Sequence, residues 1–258
     1  FIEGGRLASL LYDEDNKEAD PKEVFGDFES ETGQIAKFSA ISVDIAYGEN
    51  PPVVEDQNLD LARGEIVALM GESGCGKSTM TESFAGLRRA NAGTFTATLD
   101  NGETREFPQA PAFLGAFVEQ QPYLFVGSVH ENITLGAASI SNDEVWSALE
   151  EVGLEKMVQH RGGLDHVLTD RGRNLSVGEQ YRLALCRALV CGRPFLLMDE
   201  PFAALDIESV DLVVKAIQEE KARGTGILLI THLMPKNLDV DRVVTMIPQN
   251  HSARPEVV

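Results

Sequence analysis

One run of residues, Gly71-Glu72-Ser73-Gly74-Cys75-Gly76-Lys77-Ser78-Thr79, constrains this chain more than any other. It follows Glu65-Ile66-Val67-Ala68-Leu69-Met70, an apolar stretch that reads as a buried strand, and it opens a helical stretch. A strand, a glycine-rich turn and a helix start form the setting that a phosphate loop requires. The glycines let the backbone wrap a polyphosphate so that successive amide N–H groups point at its oxygens. The helix N-terminus adds its dipole, Lys77 a positive charge for the terminal phosphates, and Ser78 a hydroxyl able to ligate Mg²⁺. An ordinary glycine turn is a poor rival in that setting. The chain is expected to bind a nucleoside triphosphate.

Composition narrows the class. With 258 residues, 43% of them hydrophobic, the chain is long enough to bury a full core as one large domain or a domain with a subdomain. A formal net charge of −19 argues against general nucleic-acid binding, which needs clustered Lys and Arg. Cys75, Cys186 and Cys191 have neither framework spacing nor metal-ligand neighbours, the pattern of a reducing compartment. No apolar run is long enough to span a membrane, and no signal-peptide pattern is present. The chain starts at Phe1 rather than Met, which reads as a cut through a longer polypeptide.

Residues 1–37 differ in texture from the rest. Arg6 to Leu11 has the makings of one or two helical turns, and Asp13 to Pro21 is too charged to pack, so this region reads as an acidic linker. From Phe38 onward short strands are expected: Ile41 to Tyr47 by its alternation, and two runs flanking Asn101-Gly102 as a tight hairpin within Thr94 to Phe107. The middle reads as helical, with a capping box at Ser141 to Glu144 ahead of Val145, Leu149 and Val152 on one face. The last third alternates a strand at Phe195 to Asp199, a helix at Val210 to Glu220 and a strand at Gly226 to Thr231. Strands alternating with helices around a phosphate loop predict an α/β fold with a mostly parallel sheet and an inserted helical subdomain.

Two further motifs carry chemistry. Phe195-Leu196-Leu197-Met198-Asp199-Glu200-Pro201 is an apolar strand ending in two carboxylates. Such a strand delivers an Asp to the Mg²⁺ shell beside a phosphate loop, and Glu200 next to it is placed to polarise a water. Leu175-Ser176-Val177-Gly178-Glu179-Gln180 opens another helix. Ser176 and Glu179 suffice for a capping box, and the same exposed helix N-terminus is also suited to a γ-phosphate held on another copy.

With these motifs in order, the chain resembles the nucleotide-binding domains of ABC transporters from about Phe38 to Met246. Residues 71–79 match the family's Walker A, and Phe195 to Glu200 match Walker B with its catalytic glutamate. The signature, usually Leu-Ser-Gly-Gly-Gln, matches Leu175 to Glu179 with Val177 and Glu179 as departures. Val118-Glu119-Gln120-Gln121-Pro122 matches the glutamine loop, with Gln120 in the family position and Gln121 a near rival. Ala203-Ala204-Leu205-Asp206 matches the D-loop, His232 the switch histidine, and Tyr47 stands where an aromatic residue stacks on adenine. The segment from Pro122 to Ile133 and Thr169-Asp170-Arg171-Gly172, with Asp170 in place of the usual Glu, resemble the exporter branch.

The resemblance implies an ABC-type P-loop ATPase core with an antiparallel β subdomain and a helical subdomain at about 123–190, together forming a nucleotide-binding domain over 38–258. It implies that ATP and Mg²⁺ bind at Tyr47, at the loop residues Gly71 to Thr79, and at Gln120 and Asp199. Ser176, Gly178, Glu179 and Asp206 would complete the site on a facing domain. Glu200, His232 and Gln120 carry the catalytic roles, Ser78, Asp199 and Gln120 the metal. The partners implied are a transmembrane domain and a second nucleotide-binding domain, at the cytoplasmic face of a membrane, with no nucleic acid. The alternatives are a soluble ABC-type ATPase acting on nucleic acid or the ribosome, and a nucleotide sensor that does not hydrolyse. Cys75, beside Lys77 and a helix N-terminus, is expected to be the reactive thiol, with Cys186 inert.

Overall fold

A computed structural model describes residues 35–48, 50–203 and 205–248. The expected helical turns at Arg6 to Leu11 and the acidic linker ahead of residue 35 lie outside the described residues. The chain runs through β1 (Ile35–Ile45), β2 (Val54–Ala62), β3 (Ile66–Gly71), α1 (Lys77–Phe84), β4 (Ala92–Leu99), β5 (Thr104–Phe107) and β6 (Gly115–Val118). Next come β7 (Gly127–Ser128), α2 (Val129–Thr134), α3 (Asn142–Glu151), α4 (Glu155–His160), β8 (Val167–Leu168) and α5 (Val177–Val190). The last elements are β9 (Phe195–Asp199), α6 (Ile207–Ala222), β10 (Gly226–Ile230) and β11 (Arg242–Met246).

Two sheets organise the molecule. The five-stranded sheet, in the order β11-β3-β10-β9-β6, is parallel at every pairing, and the four-stranded sheet, β2-β1-β4-β5, is antiparallel. The parallel strands β3, β9 and β10 are near-continuous apolar runs because both their faces are covered. Their alternation sorts side chains into two cores. Leu196, Met198, Ile227 and Leu229 face the core shared with α2 to α6. Phe195, Leu197, Leu228 and Ile230 face the other, shared with α1 and the antiparallel sheet. Phe38 fastens this second core: its ring centroid lies 4.8 Å from Phe84 of α1, edge-on, and 6.1 Å from both Phe95 of β4 and Phe195 of β9.

Strand β1 begins at Ile35, ahead of the expected start at Ile41, because Ile35 pairs with Leu99 and is fully buried. It ends at Ile45, so Tyr47 stands on the following loop rather than in the strand. The Asn101-Gly102 hairpin joins β4 to β5 as expected, with Gly102 N–H donating to Leu99 O and Asn101 Oδ1 accepting from Glu103 N–H. The capping boxes at Ser141 and Ser176 both form, each hydroxyl accepting from the N–H three residues on while Glu144 or Glu179 returns the bond. Ser128 and Glu131 add a third that opens α2.

Candidate active site

Register places the chemistry. Ile230 of β10 lies opposite Leu69 of β3 on one side and Asp199 of β9 on the other, while Val118 of β6 pairs with Met198. The residues just past these positions emerge together at the carboxyl ends of the parallel strands: the glycine-rich loop, His232, Glu200 and Gln120. That edge is where open α/β sheets hold their ligands. A cleft of about 700 Å³ opens there. Its lining combines Lys77, Ser78, Asp199, Glu200, Gln120 and His232, with Tyr47, Ser73, Gly74, Gly76 and Thr79 completing one side. Gln121 is not among the lining residues, so the structure favours Gln120 of the two adjacent glutamines.

The loop needs glycine at two points for steric reasons. Gly76 caps α1 at φ 92°, and a Cβ there would sit 2.8 Å from a Val54 methyl and 2.9 Å from Val53 O. At Gly71, φ 152°, it would meet Met246 O at 2.5 Å and Cys75 Sγ at 2.8 Å. Lys77 is buried, and its Nζ donates to Gly71 O and Glu72 O, each at 2.9 Å. The ammonium is therefore already drawn into the loop by charge-assisted bonds to two backbone carbonyls.

Cys75 sits differently from expectation. It is only 3% exposed and packs in the core beneath the loop, with Sγ 3.9 Å from Lys77 Nζ. Cys191, at the C-terminal end of α5, is the exposed thiol. Proximity to Lys77 was legible in the sequence; the inward turn of the side chain was not.

Asp199 hydrogen-bonds Ser78, and burial pushes its carboxyl above the usual aspartate range. Ser78 and Lys77 pull the other way, while Glu82 on α1 adds to the rise. Glu119 is raised too, by burial first and by the negative charge of Glu82 next. Glu200 takes a left-handed backbone, φ 47°, a conformation costing a non-glycine residue about 1–3 kcal/mol. It is anchored by its N–H donating to Ile230 O at 2.8 Å. This turn at the strand end aims the carboxylate back across the cleft, where Oε1 lies 3.3 Å from His232 Nε2.

Seven expected site residues are not among those lining this cleft: Gly71, Glu72 and Cys75 of the loop, and Ser176, Gly178, Glu179 and Asp206 further along the chain. Ser176 and Glu179 cap α5, and Glu179 also pairs with Arg161 at 3.4 Å. Asp206 caps α6, accepting from Ser209 N–H at 2.7 Å, which together with the Ser209 hydroxyl holds its carboxyl below the usual aspartate range. Two contributors on the Tyr47 side were missed from sequence. Val53 lines the cleft, and the Arg88 guanidinium lies over the Tyr47 ring. Neither carries a local signal, since both reach the site only through the folded β1–β2 and α1–β4 connections.

Comparison with known proteins agrees with this geometry. The family model described as ABC transporter matches residues 54–203, more than half of the chain. An ABC transporter ATP-binding protein of Haemophilus influenzae is 32% identical over 198 residues, covering 76% of this chain and 35% of that protein. The ATP-dependent lipid A-core flippase of Neisseria gonorrhoeae is 32% identical over 213 residues, covering 81% of this chain and 34% of the flippase. A solved bacterial Atm1-family ABC exporter with ATP bound superposes with a TM-score of 0.73 at 24% identity, over 82% of this chain and 37% of that one, which shows a shared fold. The chain spans about a third of the length of the first two relatives. A family model matched over more than half of the chain, and relatives above 30% identity that align with three quarters of it or more, place this chain in the ABC transporter family as an ATP-binding domain.

Proposed function

We propose that this chain hydrolyses ATP to power substrate translocation by an exporter-type ABC transporter, working as one half of a homo- or heterodimer of nucleotide-binding domains. The observation that carries the reading is the convergence of Lys77, Ser78, Asp199, Glu200 and His232 on one cleft. The loop amides and Lys77 bind the phosphates, with Lys77 exchanging its bonds to Gly71 O and Glu72 O for phosphate oxygens. Ser78, Asp199 and Gln120 offer hard oxygen donors, a set that fits Mg²⁺, and burial of Asp199 gives it reason to take a cation. When bound, the metal neutralises charge on the terminal phosphates. Glu200 orients the attacking water and accepts its proton, and His232 steadies the γ-phosphate side of the cleft.

Ser176 and Gly178 lie outside the cleft of their own chain, which supports their serving a nucleotide held on a facing domain. Closure of that kind excludes bulk water from the γ-phosphate and couples hydrolysis to dimerisation. Asp206, fixed as a helix cap, is the candidate for contact across the dimer. Gln120 would report metal occupancy to a transmembrane partner. Exposed apolar side chains at Tyr123 and Val126, ahead of β7, and at Val167 within β8 suit such a partner. No described helix is long and apolar enough to cross a membrane.

The test is Mg-ATP hydrolysis and ATP affinity in the wild type and in Lys77→Ala. Hydrolysis by the wild type with ATP binding weakened in the variant is expected; absence of both in the wild type overturns the reading. Retention of DNA or RNA on a filter would instead favour an ABC-type ATPase acting on nucleic acid or the ribosome, against the −19 net charge.

A further inference from the structure

Tyr47 is held at two points by one helix. Its hydroxyl lies 3.1 Å from Thr79 Oγ1, in the first turn of α1. The Arg88 guanidinium carbon lies 4.6 Å from the centre of its ring, within cation–π range. Arg88 in turn donates from Nε to Glu82 Oε2 at 2.7 Å. Thr79 and Glu82 are three residues apart in α1 and share one face of it. The helix that begins at the phosphate loop therefore grips the ring twice, directly through Thr79 and indirectly through Glu82 and Arg88. Tyr47 lines the cleft whereas Arg88 does not. That difference fits a guanidinium seated behind the ring rather than between the ring and the cleft.

We propose that Arg88, oriented by Glu82, is a positioning residue for the nucleotide base: it backs Tyr47 so that the free face of the ring is preset for stacking. The inference rests on reading the cleft as the ATP site and concerns the base alone. Tyr47 stands on a loop and is 43% exposed, so an unsupported ring would have to lose rotamer freedom when the base arrives. Backing by Arg88 removes that cost beforehand, which is preorganisation. The cation also draws π density from the ring, favouring an electron-rich purine on the opposite face. The Glu82 pairing makes the backing directional, because a guanidinium bonded through Nε keeps its plane where a free one would turn to solvent.

The experiment compares ATP and inorganic triphosphate affinities, by calorimetry, for the wild type, Arg88→Ala, Tyr47→Ala and the double variant. Arg88→Ala is expected to weaken ATP about two- to tenfold, the range of a single cation–π contact, and to leave triphosphate unchanged. In the Tyr47→Ala background it should have no further effect, since its action passes through that ring. Glu82→Gln should show a smaller loss of the same kind, and thermal melts should confirm that each variant folds. Undiminished ATP affinity in Arg88→Ala, while Tyr47→Ala binds ATP weakly, overturns the inference and leaves the ATP site standing. An equal loss for triphosphate, or a persisting loss without Tyr47, also overturns it, because Arg88 would then act on the phosphates by charge. A wild type that binds triphosphate but not ATP overturns the proposed function itself.

Discussion

Glu200 and His232 face each other across the cleft, Oε1 of the carboxylate 3.3 Å from Nε2 of the ring and Oε2 3.3 Å from the His232 backbone N–H. The pairing of Asp199 with Ile230 sets this distance, because each side chain stands just beyond one of those partners. Glu200 is only 14% exposed at its side chain, His232 53%. The carboxylate therefore has one defined neighbour and one direction in which to present its free lone pairs, while the histidine stays open toward the solvent side.

Glu200→Gln should keep ATP binding and cut hydrolysis by at least about two orders of magnitude, the scale of losing a positioned general base. The amide oxygen still accepts from His232 N–H, so the local geometry survives. ATP is then expected to hold two domains together on a sizing column. Turnover near that of the wild type would remove Glu200 from the role.

Val177→Gly tests the departure in the signature segment. Val177 is the first residue of α5 and 58% exposed, so it packs little within its own chain. Replacing it by glycine costs helix stability of about 1 kcal/mol or less at such a position. If the facing domain closes over ATP at this point, removal of the isopropyl group should raise ATP-dependent dimerisation or turnover. Unchanged or reduced dimerisation in the purified variant would show that the closed state accommodates valine.

The parallel sheet was legible because its strands are apolar on both faces: Phe195 to Asp199 appears where the sequence puts it, and the strand expected over Gly226 to Thr231 ends one residue sooner, at Ile230. The helix caps at Ser141 and Ser176 were legible for the same local reason, a hydroxyl and a carboxylate at fixed spacing. Contacts across the fold were not. Nothing near Tyr47 announces Arg88, and nothing near Cys75 announces that Gly71 and Met246 crowd the loop from behind and leave its thiol turned into the core. The start of β1 was missed because Ile35 gains its place from Leu99, far along the chain.

Asp241 makes part of the fold's stability acid-sensitive. Its carboxylate accepts from Ile66 N–H at 2.8 Å and from Lys221 Nζ at 2.7 Å, tying the start of β11 to β3 and α6. Lys221 first, and the Ile66 amide next, hold this carboxyl below the usual aspartate range. A depressed carboxylate contributes stability that is whole above its unfolded pKa, about 4, and is lost as pH falls through the lower folded value. Asp241→Asn keeps an acceptor for Ile66 but loses the ion pair, which solvent screens. The expected loss is about 0.5–1 kcal/mol at neutral pH. Melting curves of wild type and variant should differ at pH 7 and draw together as pH falls below about 4; a constant gap would assign the effect to packing.

The three thiols should separate by burial. Cys186 is fully buried among Leu183, Leu185 and the α3 side chains, its Sγ reaching Ala148 O, and burial pushes its thiol well up, so it should stay unlabelled in the folded protein. Cys191 is exposed at the end of α5, and although burial of its sulfur raises its pKa, reagent reaches it without any opening of the fold. Cys75 has Lys77 beside it but only 3% of its surface open, so its modification must wait for the loop to move. An alkylating reagent is therefore expected to label Cys191 first with ATPase activity intact, then Cys75 more slowly with activity falling in step. Mg-ATP should slow the second phase and leave the first alone, because a nucleotide held on the loop resists the opening that exposes Cys75. Mass-spectrometric mapping over time separates the phases. Labelling of Cys75 ahead of Cys191, or a second phase indifferent to Mg-ATP, would show that the thiol faces the cleft or that the loop does not hold the nucleotide.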